Sequence, residues 1–255
     1  MKNPTNRFKA AIKAGTQQIG IWNSIGGPTV IEQLACCGFD WILIDAEHTT
    51  FEVNDILLAL QAVAAFPATT AIVRPPVNEP VVIKRLLDSG AQTLLLPYIQ
   101  SGAEARAAVD AMRYGPRGIR GFAGITRATR FGRVEDYATR AEEELCLLLQ
   151  IESMKGLENL EEIATTEGVD GVFIGPADLA ASMGHPGNTD HPEVVAAIEG
   201  AIADLNRLGV PAGILSLNKA FTKRCIELGS TFTAVGVDLA LLDWAAEALA
   251  REFKG

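Results

Sequence analysis

The chain has 255 residues, 48% hydrophobic and 21% charged, and its 22 Lys and Arg stand against 31 Asp and Glu for a net charge of −9. That much apolar material buries a large core, which excludes a disordered or fibrous chain, and the negative balance disfavours nucleic acid as a partner. No apolar stretch approaches the roughly 20 residues that span a bilayer, and the segment Met1 to Arg7 lacks a signal-peptide core, so a cytoplasmic protein without membrane contact is expected.

A short helix is expected over Arg7 to Ala14, followed by a strand at Ile19 to Trp22 and a helix at Thr29 to Cys37. The four cysteines, Cys36, Cys37, Cys146 and Cys225, have no metal-finger spacing, and the adjacent pair is expected to fill the inner side of its helix. The next strand, Trp41 to Asp45, runs straight into Ala46-Glu47-His48. An imidazole at a strand end with two carboxylates beside it is a candidate base, because a carboxylate raises proton affinity and fixes the tautomer.

After a helix at Val53 to Ala65, the strand Thr70 to Arg74 is apolar until its last residue. Arg74 is therefore a candidate for steadying an oxyanion or gripping a carboxylate, or for a structural ion pair with a neighbouring strand end. The helix Pro80 to Ser89 carries Asp88 near its end, where the helix dipole disfavours negative charge and a specific partner is implied. A strand at Thr93 to Pro97 and a helix at Ala103 to Met112 lead into the irregular, Gly- and Arg-rich stretch Tyr114 to Arg133. Long loops of this kind are usually functional; its arginines could cross to the active face and meet an anionic substrate, meet a neighbouring subunit, or simply be solvated.

Two apolar runs follow, Leu145 to Ile151 and Gly171 to Ile174, and each reads as a buried strand leading to a carboxylate, Glu152 and Asp178. Two carboxylates from neighbouring strand ends could hold a hard divalent cation such as Mg²⁺ or Mn²⁺; alternatively they open or cap the helices that follow. A helix is expected at Gly156 to Thr166. His185 and His191 lie in a Gly/Pro-rich stretch and read as loop residues. The remaining elements are a helix at Pro192 to Leu208, strands at Ala212 to Leu215 and Phe232 to Gly236, and helices at Lys219 to Leu228 and Leu239 to Phe253. Gly38, Gly90, Gly168 and Gly229 stand where C-terminal helix caps belong, and Asn218 and Asp238 can cap the helices they open. Eight strand–helix units without a composition break predict an α/β fold, a single TIM-type (β/α)8 barrel over residues 1–255, with its site at the carboxyl ends of the strands.

The segments Trp41 to His48, Ile83 to Ala91, Arg113 to Gly121 and Gly171 to Leu179 resemble the metal-dependent class II pyruvate aldolases, in the family's order and spacing. The family pattern has a proline where Gly115 stands. The resemblance implies reversible retro-aldol cleavage of 4-hydroxy-2-oxo acids, such as 4-hydroxy-2-oxoheptanedioate, to pyruvate and an aldehyde such as succinic semialdehyde, through a pyruvate enolate held at the metal. It implies His48 as base, Arg74 as enolate stabiliser, Asp88 as the residue that raises the basicity of His48, Glu152 and Asp178 as ligands of Mg²⁺, Mn²⁺ or Co²⁺, and Gln150 and Ala177 as substrate contacts. It further implies a homo-hexamer that exchanges its last helix between subunits. A lyase for malyl- or citramalyl-type thioesters shares this chemistry, and a non-catalytic small-molecule sensor could share the pocket.

Overall fold

The computed structural model describes residues 1–254, and its centre is a closed barrel of eight parallel strands in sequence order. The strands are β1 (Gln18–Asn23), β2 (Trp41–Asp45), β3 (Thr70–Arg74), β4 (Thr93–Leu96), β5 (Cys146–Ile151), β6 (Gly171–Ile174), β7 (Ala212–Leu215) and β8 (Ser230–Val237). Closure comes from β1 pairing with both β2 and β8, so no strand edge is left open.

Alternation along the strands sorts the core into two layers. Outward residues such as Ile42, Ile44, Val73, Leu94, Leu149 and Ile174 pack under the helices. Inward residues, among them Trp22, Trp41, Leu43, Ile72, Leu95, Leu148, Phe173 and Phe232, fill the barrel itself. Glycine makes room for the largest of them: a Cβ on Gly20 would lie 2.1 Å from the Trp41 ring, and one on Gly213 2.1 Å from Phe232.

Helix α1 (Arg7–Lys13) plugs the amino end of the barrel. Its Phe8 is fully buried, edge-on to Trp41 at 6.1 Å and to Phe232 at 5.7 Å between ring centroids. The other helices are α2 (Pro28–Ala35), α3 (Val53–Val63), α4 (Pro80–Asp88), α5 (Gly102–Met112), α6 (Tyr137–Glu144), α7 (Met154–Glu158), α8 (Leu160–Ala164), α9 (Pro176–Ser182), α10 (Pro192–Leu208), α11 (Lys219–Glu227) and α12 (Asp238–Lys254). Among the described residues no helix is long and apolar enough to cross a membrane.

Several expectations are corrected. α2 ends at Ala35, so Cys36 and Cys37 fall at and beyond its cap and are exposed instead of filling its inner side. The helix expected over 156–166 starts earlier, where the Ser153 hydroxyl accepts from the Gly156 amide, and is broken at Asn159 into α7 and α8. Helix α6 is not among the expected elements, and α9 is expected only, without bounds, as a helix that Asp178 could open or cap. Asn218 caps α11 through the Ala220 and Phe221 amides, and the Asp238 carboxylate accepts from the Leu239 amide at 2.7 Å at the start of α12 while also reaching across to the end of β1, where it accepts from Asn23 Nδ2, Ser24 N and Ile25 N. The arginine-rich loop does not cross to the carboxyl end within the chain. Arg127 donates to the Ser89 and Leu60 carbonyls where α4 and α3 finish, and Arg120 pairs with Asp88, so the loop is tied to the amino-end face.

Candidate active site

The inward parity that places Trp41 and Leu43 in the barrel also turns Asp45 inward at its carboxyl end, and the same alternation carries Arg74, Gln150 and Glu152 there. Asp45 and Arg74 are register partners of β2 and β3. Their side chains form a buried forked pair, with Arg74 Nε donating to Asp45 Oδ1 at 2.9 Å and Nη2 to Oδ2 at 2.7 Å. This is the structural ion pair that the strand-end position allowed, and it also locks the guanidinium in one pose.

Trp22 supports that pose: its ring lies 4.9 Å from Arg74 Cζ and its Nε1 donates to Asp45 Oδ2 at 3.2 Å. Burial pushes the Asp45 carboxyl up, but the hydrogen bonds and charge of Arg74, with the Glu47 amide and Trp22, outweigh it and hold the group below its usual value. Arg74 Nη1 also lies 2.9 Å from Glu47 Oε2, an ion pair outside hydrogen-bond geometry. Burial raises the Glu47 carboxyl, Asp45 and Asp178 raise it further, and Arg74 only partly offsets them.

Glu152, one residue past β5, is 3% exposed, so its charge depends on what surrounds it. It accepts from the Tyr98 amide at 2.8 Å and from Gln150 Nε2. Tyr98 adopts φ 56°, a left-handed conformation unusual for a bulky residue, and in that conformation its amide meets the carboxylate. Burial nonetheless pushes the Glu152 pKa up to about 7, with Glu47 and Asp178 adding to it against those two hydrogen bonds. Gly175 is required beside it, since a Cβ there would lie 2.7 Å from Glu152 Oε2 and 2.9 Å from its Cβ.

Asp178 does not end a strand. β6 stops at Ile174, Pro176 opens α9, and Asp178 sits exposed in that helix's first turn. No cap hydrogen bond occupies it at α9, and it acts on both Glu47 and Glu152 electrostatically. Ala177 precedes it, also exposed, in the same turn. His48 follows β2 with its side chain 63% exposed, and its one charged neighbour among the described residues is Glu47 at 3.7 Å.

Asp88 is not brought to His48 within the chain. It is the last residue of α4, at the amino end of the barrel, whereas His48 lies beyond the carboxyl end of β2. The charge that the late-helix position called for is Arg120, whose buried Nη2 donates to Asp88 Oδ1 at 2.7 Å while its guanidinium covers the Tyr114 ring at 4.5 Å.

The donors around Glu152 suit a hard cation. Gln150 Oε1 and Glu47 Oε2 are buried acceptors without a hydrogen bond; Glu47 and Asp178 both make ionisation of Glu152 harder, and Asp178 does the same to Glu47. An all-oxygen set of this kind matches Mg²⁺, Mn²⁺ or Co²⁺.

Residues 18–244 match the HpcH/HpaI aldolase/citrate lyase family. The chain belongs to this family. It is 58% identical over 253 residues, 99% of each chain, to a pyruvate aldolase of Rhizobium etli. It is 52% identical over 249 residues, 97% of this chain and 95% of the other, to the 4-hydroxy-2-oxo-heptane-1,7-dioate aldolase of Escherichia coli. A crystal structure of an HpcH/HpaI aldolase/citrate lyase family protein from Burkholderia cenocepacia superposes with a TM-score of 0.94 at 36% identity, covering 98% of this chain and 100% of that one. This HpcH/HpaI aldolase is accordingly a carbon–carbon lyase. Its Arg74, Gln150 and Glu152 stand out in the sequence as polar residues at the ends of apolar strands. The contribution of Tyr98 is invisible there, because it is made by a backbone amide that any residue but proline supplies.

Proposed function

We propose that this aldolase cleaves 4-hydroxy-2-oxo acids, 4-hydroxy-2-oxoheptanedioate among them, to pyruvate and an aldehyde, succinic semialdehyde from that substrate, and runs the reverse addition. The observation that carries this reading is the buried Glu152 carboxylate, costly to ionise alone, set among Glu47, Asp178 and the clamped Arg74 at the barrel mouth. A divalent cation held by Glu152 and Asp178, Mg²⁺, Mn²⁺ or Co²⁺, would supply Lewis-acid charge where enolate charge develops.

The chain's own groups account for the rest. His48, open to solvent beside Glu47, takes the C4 hydroxyl proton as the C3–C4 bond breaks. The bonding pair passes to C3 and delocalises onto the 2-oxo oxygen, and the proton is returned at C3 to complete pyruvate. Arg74, fixed by Asp45, sets positive charge beside that oxygen without having to reorganise. Gln150 and the first turn of α9 at Ala177 contact the pyruvate half. Asp88 serves the amino-end face through Arg120.

The exposed apolar residues of α12 support assembly into a homo-oligomer, a hexamer in which the last helix is exchanged. Removal of divalent ions should abolish pyruvate release from 4-hydroxy-2-oxo acids and Mg²⁺ or Mn²⁺ restore it, with His48→Ala and Arg74→Ala each lowering kcat by about 10²-fold or more. Gly175→Ala should weaken metal binding by displacing Glu152 while the barrel stays folded. Full turnover without any divalent ion would end the reading.

A further inference from the structure

A second group of metal-binding side chains lies outside this site. We propose that His185, His191 and Glu193 form a distinct site for a borderline transition ion such as Zn²⁺, Ni²⁺ or Cu²⁺. One ligand atom from each of the three residues can be chosen so that all lie within 4.8 Å of one another. Among the described residues it is the sole grouping of three such side chains that close. His185 Nε2 is 3.0 Å from Glu193 Oε2. Bonds of about 2.1 Å to a shared ion put adjacent donors roughly 3.0–3.4 Å apart, so this pair is already at ligand spacing.

The third ligand is held nearby. The His185 and His191 rings stack with centroids 3.5 Å apart and planes 16° from parallel, so His191 is close enough to contribute but must turn out of the stack for its in-plane lone pair to meet the ion that His185 binds. His191 Nδ1 accepts from the Glu193 amide at 3.3 Å, a long contact that a coordinate bond to the ring would replace with little loss. The connecting turn is organised by its backbone, with His185 N bonded to Ala180 O, Asn188 N to His185 O and His191 N to Asn188 O. Asp190, beside it, is anchored by Asn218 Nδ2 at 3.2 Å. The positive end of α10, which His191 caps, opposes a cation, and the Glu193 and Asp190 carboxylates offset that opposition.

Two imidazoles and one carboxylate make a softer set than the oxygens around Glu152, so the two sites should separate by metal type. Three protein ligands leave a position for water. The ion would join α10 to the end of α9, the helix that carries Asp178, and so brace one wall of the barrel mouth.

The test uses untagged full-length protein, stripped of metal and supplied with excess Mg²⁺, titrated with Cu²⁺ and followed by electron paramagnetic resonance. The sequence holds three histidines, so His48→Ala leaves His185 and His191 as the imidazole sources. Wild type and His48→Ala should each bind one Cu²⁺ with coupling to two nitrogens. The signal should vanish in the His185→Asn, His191→Asn double variant, shown to be folded by circular dichroism. Glu193→Gln, which keeps both rings, should weaken Cu²⁺ binding by roughly tenfold or more. A two-nitrogen signal that survives in the double variant, or coupling to fewer than two nitrogens in wild type, would overturn the proposal. Because the readout is not turnover, the outcome is independent of the aldolase reading.

Discussion

Glu152 owes its chemistry to an unfavourable position. A buried carboxyl with Glu47 and Asp178 nearby holds its proton up to about pH 7, against a free value of 4.5. Between those two values the metal-free native chain binds more protons at this residue than the unfolded chain does, so stability falls as pH rises through the window and levels off above it. Denaturant titrations of metal-free wild type at pH 5 and pH 7.5 should therefore show a loss of stability that is smaller in Glu152→Gln, which has no proton to release there, the raised Glu47 carboxyl accounting for part of what remains. In the proposed metal role a divalent cation would have to displace that proton, so its apparent affinity should fall as pH drops below about 7. A wild type whose pH dependence equals that of Glu152→Gln would contradict this account. Arg74 and Glu152 were legible in the sequence because polar residues at the ends of apolar strands are conspicuous. Asp45 shows its role only once the register sets it beside Arg74, and Gly175 only once the path of the chain brings it against Glu152.

At the scale of elements, legibility follows how strongly a segment advertises its period. Strands β2, β3, β6 and β7 have the bounds that their apolar runs predict, and α10 runs from Pro192 to Leu208 as its periodicity implies. Helix α6, YATRAEEE, buries only Tyr137 and Ala141 and has almost no apolar stripe to detect. Helix α9 is seven residues long and opens with Gly-Pro, which by itself reads as a turn. Helix α1 was visible as a helix, but its place as the barrel's plug depends on aromatic partners drawn from β2 and β8. Phe8 should thus be worth far more than its place near a chain end suggests. Truncation to alanine leaves a cavity against Trp41 and Phe232 and should cost about 3–5 kcal/mol in denaturant unfolding, with Phe8→Leu costing less. Divalent-metal affinity at the opposite mouth should be unchanged in both. A loss below 1 kcal/mol would mean that the barrel closes without its plug.

The whole molecule ends in an element that its own barrel barely covers. Of α12 only Asp238 is buried, while Leu239, Leu242, Leu249 and Phe253 are 55%, 58%, 58% and 79% exposed and Trp244 49%. Leu242, Leu249 and Phe253 recur at seven- and four-residue spacing, so they share one helical face, and an amphipathic helix this open in a single chain calls for a covering surface. Burying each leucine would contribute about 1.5–3 kcal/mol, so a few such residues, repeated in every subunit, suffice to hold an assembly together. Leu242→Asp combined with Leu249→Asp would put two charges on that face without touching β1 to β8. Light scattering after size exclusion should then show a mass well below that of wild type, while far-UV circular dichroism still reports the barrel. If wild type already runs at the mass of one chain, 27.1 kDa, the face is not an assembly surface under those conditions. If the double variant keeps the mass of a multi-subunit wild type, the subunits are held by another surface, with the apolar tip of the arginine-rich loop, Phe122, Ile125 and Phe131, the next to substitute.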